Sequence, residues 1–357
     1  MSNELLTSQI ENLIRRDPAR RGLIGSDGNG PGRGDLAKAA SLFRNDNTIK
    51  GVGLLTGFFI PTAIDATPEG VAADERAQPQ AGNAETDGPL GTFVLADVLA
   101  GLEIPTTVIT DQLCENVVQT ACSSQTRDSF EILVSPNDRT NAAKWRAEVL
   151  QRASVRQFSH FVAIERVGPG YESAKLPDQP PSPSTTVRRS ADSQQEWQPG
   201  HCCNMRGDSI DAFSADLHLL IEDAMKQNPD IKVVGMGDGG NEIGMGRFPR
   251  EELVNRINGP NAERVPCRMS ADATIVAGVS NWGAYALAAA IAIHRDRVDL
   301  LERHTAESQR QLLEKIVSEA GAVDGVTRRN EPTVDGLPFL TQIQPWIAIR
   351  ELLGLRP

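Results

Sequence analysis

Val233-Val234-Gly235-Met236-Gly237-Asp238-Gly239-Gly240-Asn241-Glu242-Ile243-Gly244-Met245-Gly246 is the stretch on which the reading of this chain turns. Five glycines fall between Gly235 and Gly244, after an apolar, β-branched run from Ile231 to Val234. Glycine lets the backbone take positive φ and lets other groups approach it closely. A buried strand opening into such a turn is where open α/β sheets place their ligands, beyond the carboxyl ends of the strands. Asp238, Asn241 and Glu242 stand among the glycines, so the stretch reads as an active-site loop rather than a bare strand-to-helix turn.

Outward from this loop the same rhythm repeats. Apolar strands are predicted at 51–59, 106–110, 130–134, 160–165 and 273–279, and helices at 3–16, 36–44, 91–101, 112–121, 140–153, 209–228, 250–258, 284–295 and 299–320, with a short one near the C-terminus. Alternating strands and helices predict a Rossmann-like three-layer α/β fold, a mostly parallel sheet with helices on both faces. The helix over 284–295 is apolar nearly all round and is expected in the core. Residues 172–200, rich in Pro and Ser, interrupt the rhythm as a loop insertion within a single domain spanning 1–357. The glycine-rich loop 25–35 is a connector or, through Arg33 and Asp35, part of a ligand site. Asp87 is placed to cap the helix that follows it or to serve a site.

Composition narrows the function. A net charge of −11 with only 36 Lys and Arg argues against a general nucleic-acid binder and against an anionic membrane surface. No apolar run is long enough to cross a bilayer, which takes about 18 residues or more. The five cysteines form no C-x-x-C pair and suit a reducing interior. Adjacent Cys202 and Cys203 read as bystanders before they read as a redox or soft-metal pair, and the five histidines show no ligand spacing. The absence of an apolar leader points to the cytoplasm. Arg15, Arg16, Arg20 and Arg21 faintly suggest a transit segment and keep the mitochondrial matrix as the alternative.

Gly235 to Gly240 also fits the dinucleotide fingerprint G-x-G-x-x-G. Asp238 would bring negative charge to where pyrophosphate sits, the turn comes late in the chain, and no acid follows at the expected distance. No nucleotide cofactor is expected. What remains is an oxygen-rich set: Asp87, Asp111, Glu165, Asp208, Asp238 and Glu242, with Asn204, Asn241 and Asn281. Such donors suit Mg²⁺ or Mn²⁺, and equally the ammonium group of an amino acid.

Six blocks then occur in order: Thr56-Gly57-Phe58, Glu85-Thr86-Asp87-Gly88-Pro89-Leu90-Gly91, Ala163-Ile164-Glu165-Arg166, Asn204-Met205-Arg206-Gly207, Gly237 to Gly246, and Ala277 to Leu287. Together they resemble the D-glutamate cyclase family, whose mammalian mitochondrial members carry this domain in their C-terminal part. The resemblance runs from about residue 20 to about residue 300; the last two blocks are the most specific, and the 172–200 insertion departs from the family pattern. It implies a carbon–oxygen hydro-lyase that closes D-glutamate to 5-oxo-D-proline with loss of water. For that reaction Mg²⁺ or Mn²⁺ is expected on Asp238 and Glu242, with Asp87 as a further ligand, polarising the γ-carboxylate. Arg206 is the expected carboxylate clamp, since guanidinium matches carboxylate bidentately. Glu165 or Asp208 is the expected acid or base, beside Asp238 and Glu242. Asn204, Asn241, Asn281, Thr56 and Gly57 are expected to orient substrate. The alternatives are a lyase or cyclase for another acidic amino acid, and a non-catalytic amino-acid or metabolite-binding protein. No nucleic-acid or membrane partner is expected, and self-association is left open.

Overall fold

Six of the apolar runs form one parallel sheet in the computed structural model, which describes residues 2–44, 48–61, 82–123, 131–152, 158–171 and 200–356. In chain order the strands are β1 (Val52–Thr56), β2 (Thr106–Asp111), β3 (Glu131–Ser135), β4 (His160–Ile164), β5 (Lys232–Gly237) and β6 (Ala273–Val276). Their spatial order is 3-2-1-4-5-6, every pair parallel. β1 is central and pairs β2 on one side (Leu54 opposite Val108) and β4 on the other (Leu54 opposite Val162). The chain therefore winds outward first to one edge and then to the other. That reversal opens a crevice at the carboxyl ends of β1 and β4, where ligands bind in doubly wound sheets.

Side-chain alternation fills two cores. Leu54, Val108, Val162, Val234 and Ile275 face one layer; Leu55, Ile109, Phe161, Val233 and Val276 face the other. The first layer holds helices α1 (Asn3–Ile14), α2 (Asp35–Ser41), α3 (Pro89–Gly101) and α4 (Glu115–Cys122). The second holds α5 (Arg139–Gln151), α6 (His218–Gln227) and α7 (Arg250–Arg256). The chain then returns to the first layer with α8 (Ser280–His294) and α9 (Ala306–Ala320), followed by α10 (Phe339–Gln342) and α11 (Gln344–Leu352). Strands covered on both sides explain runs such as Val52–Thr56, buried at every position. As expected from its composition, α8 is a core helix, buried from Ser280 through Ile293. It packs so closely on α3 that a Cβ at Gly91 would lie 2.6 Å from Ala284 Cβ.

Three of the element boundaries that depart from the sequence expectation have a plain local cause. The helix expected over 209–228 starts at His218, after a single turn at Asp211–Phe213. Ser214 is extended there, because Arg166 takes the Ser214 hydroxyl (2.8 Å) and the Ala215 carbonyl (2.6 Å). α8 begins at Ser280 rather than 284, because Asp87 accepts the N–H groups of Ser280 and Asn281. The helix expected over 299–320 is divided, with Thr305 capping α9 through the Ser308 N–H at 3.1 Å.

The loop 25–35 is a connector. Arg15 holds it by donating to the Gly28, Gly30 and Pro31 carbonyls, and Asp35 pairs with Arg247. Most of the loop read at 65–84 and all but Gly200 of the insertion read at 172–200 lie outside the described residues; Gly82–Ala84 form a short strand against Phe59–Pro61. Among the described residues no helix is long and apolar enough to cross a membrane.

Candidate active site

The crevice at the switch point is built from strand ends. β1 delivers Thr56 and Gly57, β4 delivers Glu165, and β5 delivers Asp238. Gly57 has φ +103°, and a Cβ there would lie 2.7 Å from Cys114 Cβ, so the turn needs glycine. Thr56 is buried, and its hydroxyl has no partner among the described residues. Glu165 takes φ +43°, a conformation that costs a non-glycine residue about 1–3 kcal/mol. Its carboxyl is held by the Ser280 hydroxyl, 2.5 Å from Oε2, and its N–H donates to the Met236 carbonyl at 3.3 Å.

The glycine loop turns around Glu242. The backbone N–H groups of Asp238 (2.9 Å) and Gly239 (2.7 Å) donate to Glu242 Oε1, and that of Gly240 donates to Oε2 at 2.7 Å. A Cβ at Gly237 would lie 2.3 Å from the Glu242 carboxyl carbon, which explains a glycine there. Glu242 thus fills the cradle of N–H groups that such loops offer to anions. Asn241 donates to the Cys203 carbonyl at 2.9 Å and ties the loop to residues 203–206.

Asp87 and Asn281 cap each other's helices. Both Asp87 oxygens take N–H groups at the start of α8, each at 2.7 Å. The Asn281 side-chain oxygen takes the Gly88 (3.1 Å) and Gly91 (2.8 Å) N–H groups at the start of α3. Asp87 therefore caps α8, not the helix that follows it in sequence. The two helix starts are joined at the crevice, and Asp87 is left facing the other acids.

Those acids form one buried cluster. Ligand atoms of Asp87, Asp238 and Asp335 lie within 4.8 Å of one another, and so do those of Glu165, Asp238 and Glu242. Glu85 is buried beside them. The guanidinium of Arg21 bonds Asp335 at 2.6 Å and also pairs with Asp238. One cation facing six carboxyls leaves them mutually repelling in a low-dielectric setting. Burial first, then neighbouring carboxylates, pushes Glu85 and Glu165 well above the ordinary carboxylate range. Burial and Asp335 push Asp87 up to about 8. Burial would lower Arg21, but Asp335, Glu165, Glu85 and Asp87 together hold it above its ordinary value.

A pocket of about 220 Å³ opens onto the cluster. Glu85, Glu165 and Asp238 line its buried side with Arg21, and Phe58, Phe59 and Ile60 supply an apolar wall. Asn204, Met205, Arg206, Val326 and Arg328 form its outer rim, with Asn241 beside them. The Arg206 and Arg328 guanidiniums stand close enough that Arg206 helps burial to lower Arg328. Neither has an ion-pair partner among the described residues.

The structure thus brings Glu165, Asp238, Asn241, Asn204 and Arg206 to one pocket, with Glu242, Asp87, Asn281, Thr56 and Gly57 around it. Asp208 lies apart. It is exposed and closes a turn with Asn204, whose side-chain oxygen accepts the Asp208 N–H at 3.1 Å. Asp111 is buried but belongs to another ion pair, 2.6 Å from Arg166. Arg21, Glu85 and Arg328 line the pocket and Asp335 joins the acid cluster; the sequence assigns none of them to the site. Glu85 stood in a block already singled out. Asp335 sits in Val334-Asp335-Gly336, which reads locally as a turn.

Comparison with known proteins bears on the family of this chain. The family described as D-glutamate cyclase-like, C-terminal matches residues 10–175 and 194–348. The human protein named D-glutamate cyclase, mitochondrial is 29% identical over 290 residues, covering 80% of this chain and 38% of that protein. The chain thus spans well under half the length of that relative.

Proposed function

We propose that this chain, which belongs to the D-glutamate cyclase-like family, is a carbon–oxygen hydro-lyase that closes D-glutamate to 5-oxo-D-proline and water. The observation that carries the reading is the polarity of the pocket: buried acids on one side, and on the other two guanidiniums with no ion pair among the described residues. A molecule with one ammonium and two carboxylates matches that arrangement.

In the reaction a bond forms between the α-nitrogen and the γ-carbon, and a γ-carbon–oxygen bond breaks. The nitrogen gives up two protons and the departing oxygen takes two, so the site needs groups that pass protons without net gain. Arg206, with Arg328, binds and orients substrate carboxylate. Asp238 and its acidic neighbours receive the ammonium and take its protons. Glu165, which burial and the neighbouring Glu242 and Asp87 carboxylates push well above the ordinary carboxylate range, is the group suited to deliver a proton to the departing oxygen. Ser280 fixes its orientation through the 2.5 Å hydrogen bond. Ring closure is intramolecular, so holding the chain bent supplies most of the proximity.

Asp87, Asp238 and Asp335 fit a divalent cation. The donors are all carboxylate oxygens within 4.8 Å of one another, and Arg21 already shows that a cation is stabilised against Asp238 and Asp335. Bound Mg²⁺ or Mn²⁺ would supply Lewis-acid polarisation of the γ-carboxylate. Glu242 carries three backbone N–H groups and shapes the loop, which supports a positioning part for it.

The test is incubation of purified, chelator-stripped protein with D- and L-glutamate, with and without Mn²⁺ or Mg²⁺, monitored for 5-oxoproline. Product from D-glutamate, restored by metal, is expected. No product from either enantiomer refutes the reading, and ligand binding without turnover supports the non-catalytic alternative.

A further inference from the structure

Cys202, Asp216 and His218 stand together outside the acid cluster, and we infer that they form a zinc site. Their ligand atoms lie within 4.8 Å of one another. Cys202 is buried in the segment after Gly200, anchored by its N–H to Asp211 at 2.8 Å. Asp216 and His218 stand at the start of α6. The fold therefore gathers one thiol, one carboxylate and one imidazole from two ends of a single loop.

The second observation is the state of His218. Its side chain is only 7% exposed, yet it makes no hydrogen bond among the described residues. With no neighbour bonding it, the ring keeps a nitrogen lone pair available to a ligand beside the Cys202 thiol and the Asp216 carboxylate. Metal coordination is the interaction that an imidazole, a thiol and a carboxylate can share.

Donor chemistry sets the metal class. Sulfur, nitrogen and oxygen together suit borderline-soft Zn²⁺, whereas the all-oxygen acid cluster suits Mg²⁺ or Mn²⁺. Tetrahedral zinc with bonds of about 2.0–2.3 Å needs ligand atoms roughly 3.3–3.8 Å apart, a spacing that side chains already within 4.8 Å reach by small rotations. Arg139, whose side chain is 70% exposed and lies 3.5 Å from Asp216, is free to turn into solvent as the metal takes its place. Water completes the fourth position. The ion would fasten the two ends of the loop that carries Asn204 and Arg206 to the pocket rim. Cys203 is outside the site, its thiol directed at the His201 carbonyl.

The experiment is a titration of the chelator-stripped full chain with Co²⁺, reading the sulfur-to-cobalt charge-transfer absorption in the near ultraviolet. One equivalent is expected to produce the band, and Zn²⁺ to abolish it by displacement. Cys202→Ser is expected to lose the band and Cys203→Ser to keep it. His218→Ala is expected to weaken binding by tenfold or more. Absence of the band in the wild-type protein overturns the assignment, as does a band that survives in Cys202→Ser. Cobalt on the acid cluster has only oxygen ligands and gives no such band, so this outcome is independent of whether D-glutamate is turned over.

Discussion

Glu165 and Arg166 are neighbours in the chain, both buried at the end of β4, and they belong to opposite kinds of charged site. Arg166 is matched. It faces one carboxylate, Asp111, at 2.6 Å, and donates to the Gly57 carbonyl (2.7 Å), the Ser214 hydroxyl and the Ala215 carbonyl. That bracket joins β1, β2 and the segment before α6, and it balances its charge. Glu165 is unmatched. It sits in a strained conformation among five other acids that, among the described residues, share the guanidinium of Arg21. A matched buried pair holds a fold together, whereas an overloaded cluster opposes folding and persists where chemistry or a ligand needs it.

The sharpest way to break this comparison is to neutralise each side in turn. Glu165→Gln is expected to lower kcat by roughly 10²- to 10⁴-fold, as loss of a general acid does, with a thermal midpoint equal to or above that of the parent. Rate assays and thermal denaturation on the same preparation read both effects. Arg166→Leu is expected to do the reverse. It leaves Asp111 buried and unpaired and should destabilise the fold by about 3–5 kcal/mol in denaturant titrations. A stable Arg166→Leu protein contradicts the assignment of that pair to structure.

The smaller tests sharpen the picture of the pocket. Arg328→Met removes one rim guanidinium and should raise KM for D-glutamate about tenfold, with a lesser change in kcat, as expected for one charge-assisted hydrogen bond. The pH dependence of stability follows from the cluster. Asp87 has an ordinary value of 3.8 and reaches about 8 in the folded chain. Between those values the folded state binds more protons than the unfolded state, so stability falls as pH rises from about 4 to about 8. Metal-free protein should lose on the order of 1 kcal/mol per pH unit near neutrality in chemical denaturation, and added Mn²⁺ should reduce the slope. A stability that rises through this range would show that the acids are matched after all.

Much of the architecture was legible because it is local. Each of the six strands was visible as an apolar run, and the parallel sheet followed from the alternation with helices. The Gly235–Gly246 loop was recognisable because Gly237 and Gly240 must be small for a carboxylate and for positive φ. What the sequence hid was long-range pairing. Arg21 read as one of several N-terminal arginines, but it reaches Asp238 and Asp335, more than two hundred residues away. Asp87 read as a cap for the adjacent helix or as a site residue; it caps α8 instead, through Ser280 and Asn281, while standing in the acid cluster. Asp208 read as a candidate acid or base beside Glu165, and its turn leaves it exposed beside Asn204 at the rim. Nor did any spacing rule join Cys202 to His218, because the loop between them sets that proximity.

The most direct measurement is the rate of 5-oxoproline formation from D-glutamate by the parent protein, Glu165→Gln and Asp208→Asn, each normalised to folded protein. The account predicts turnover in the parent, near-complete loss in Glu165→Gln and parent-like turnover in Asp208→Asn. Equal rates in the parent and Glu165→Gln would contradict it.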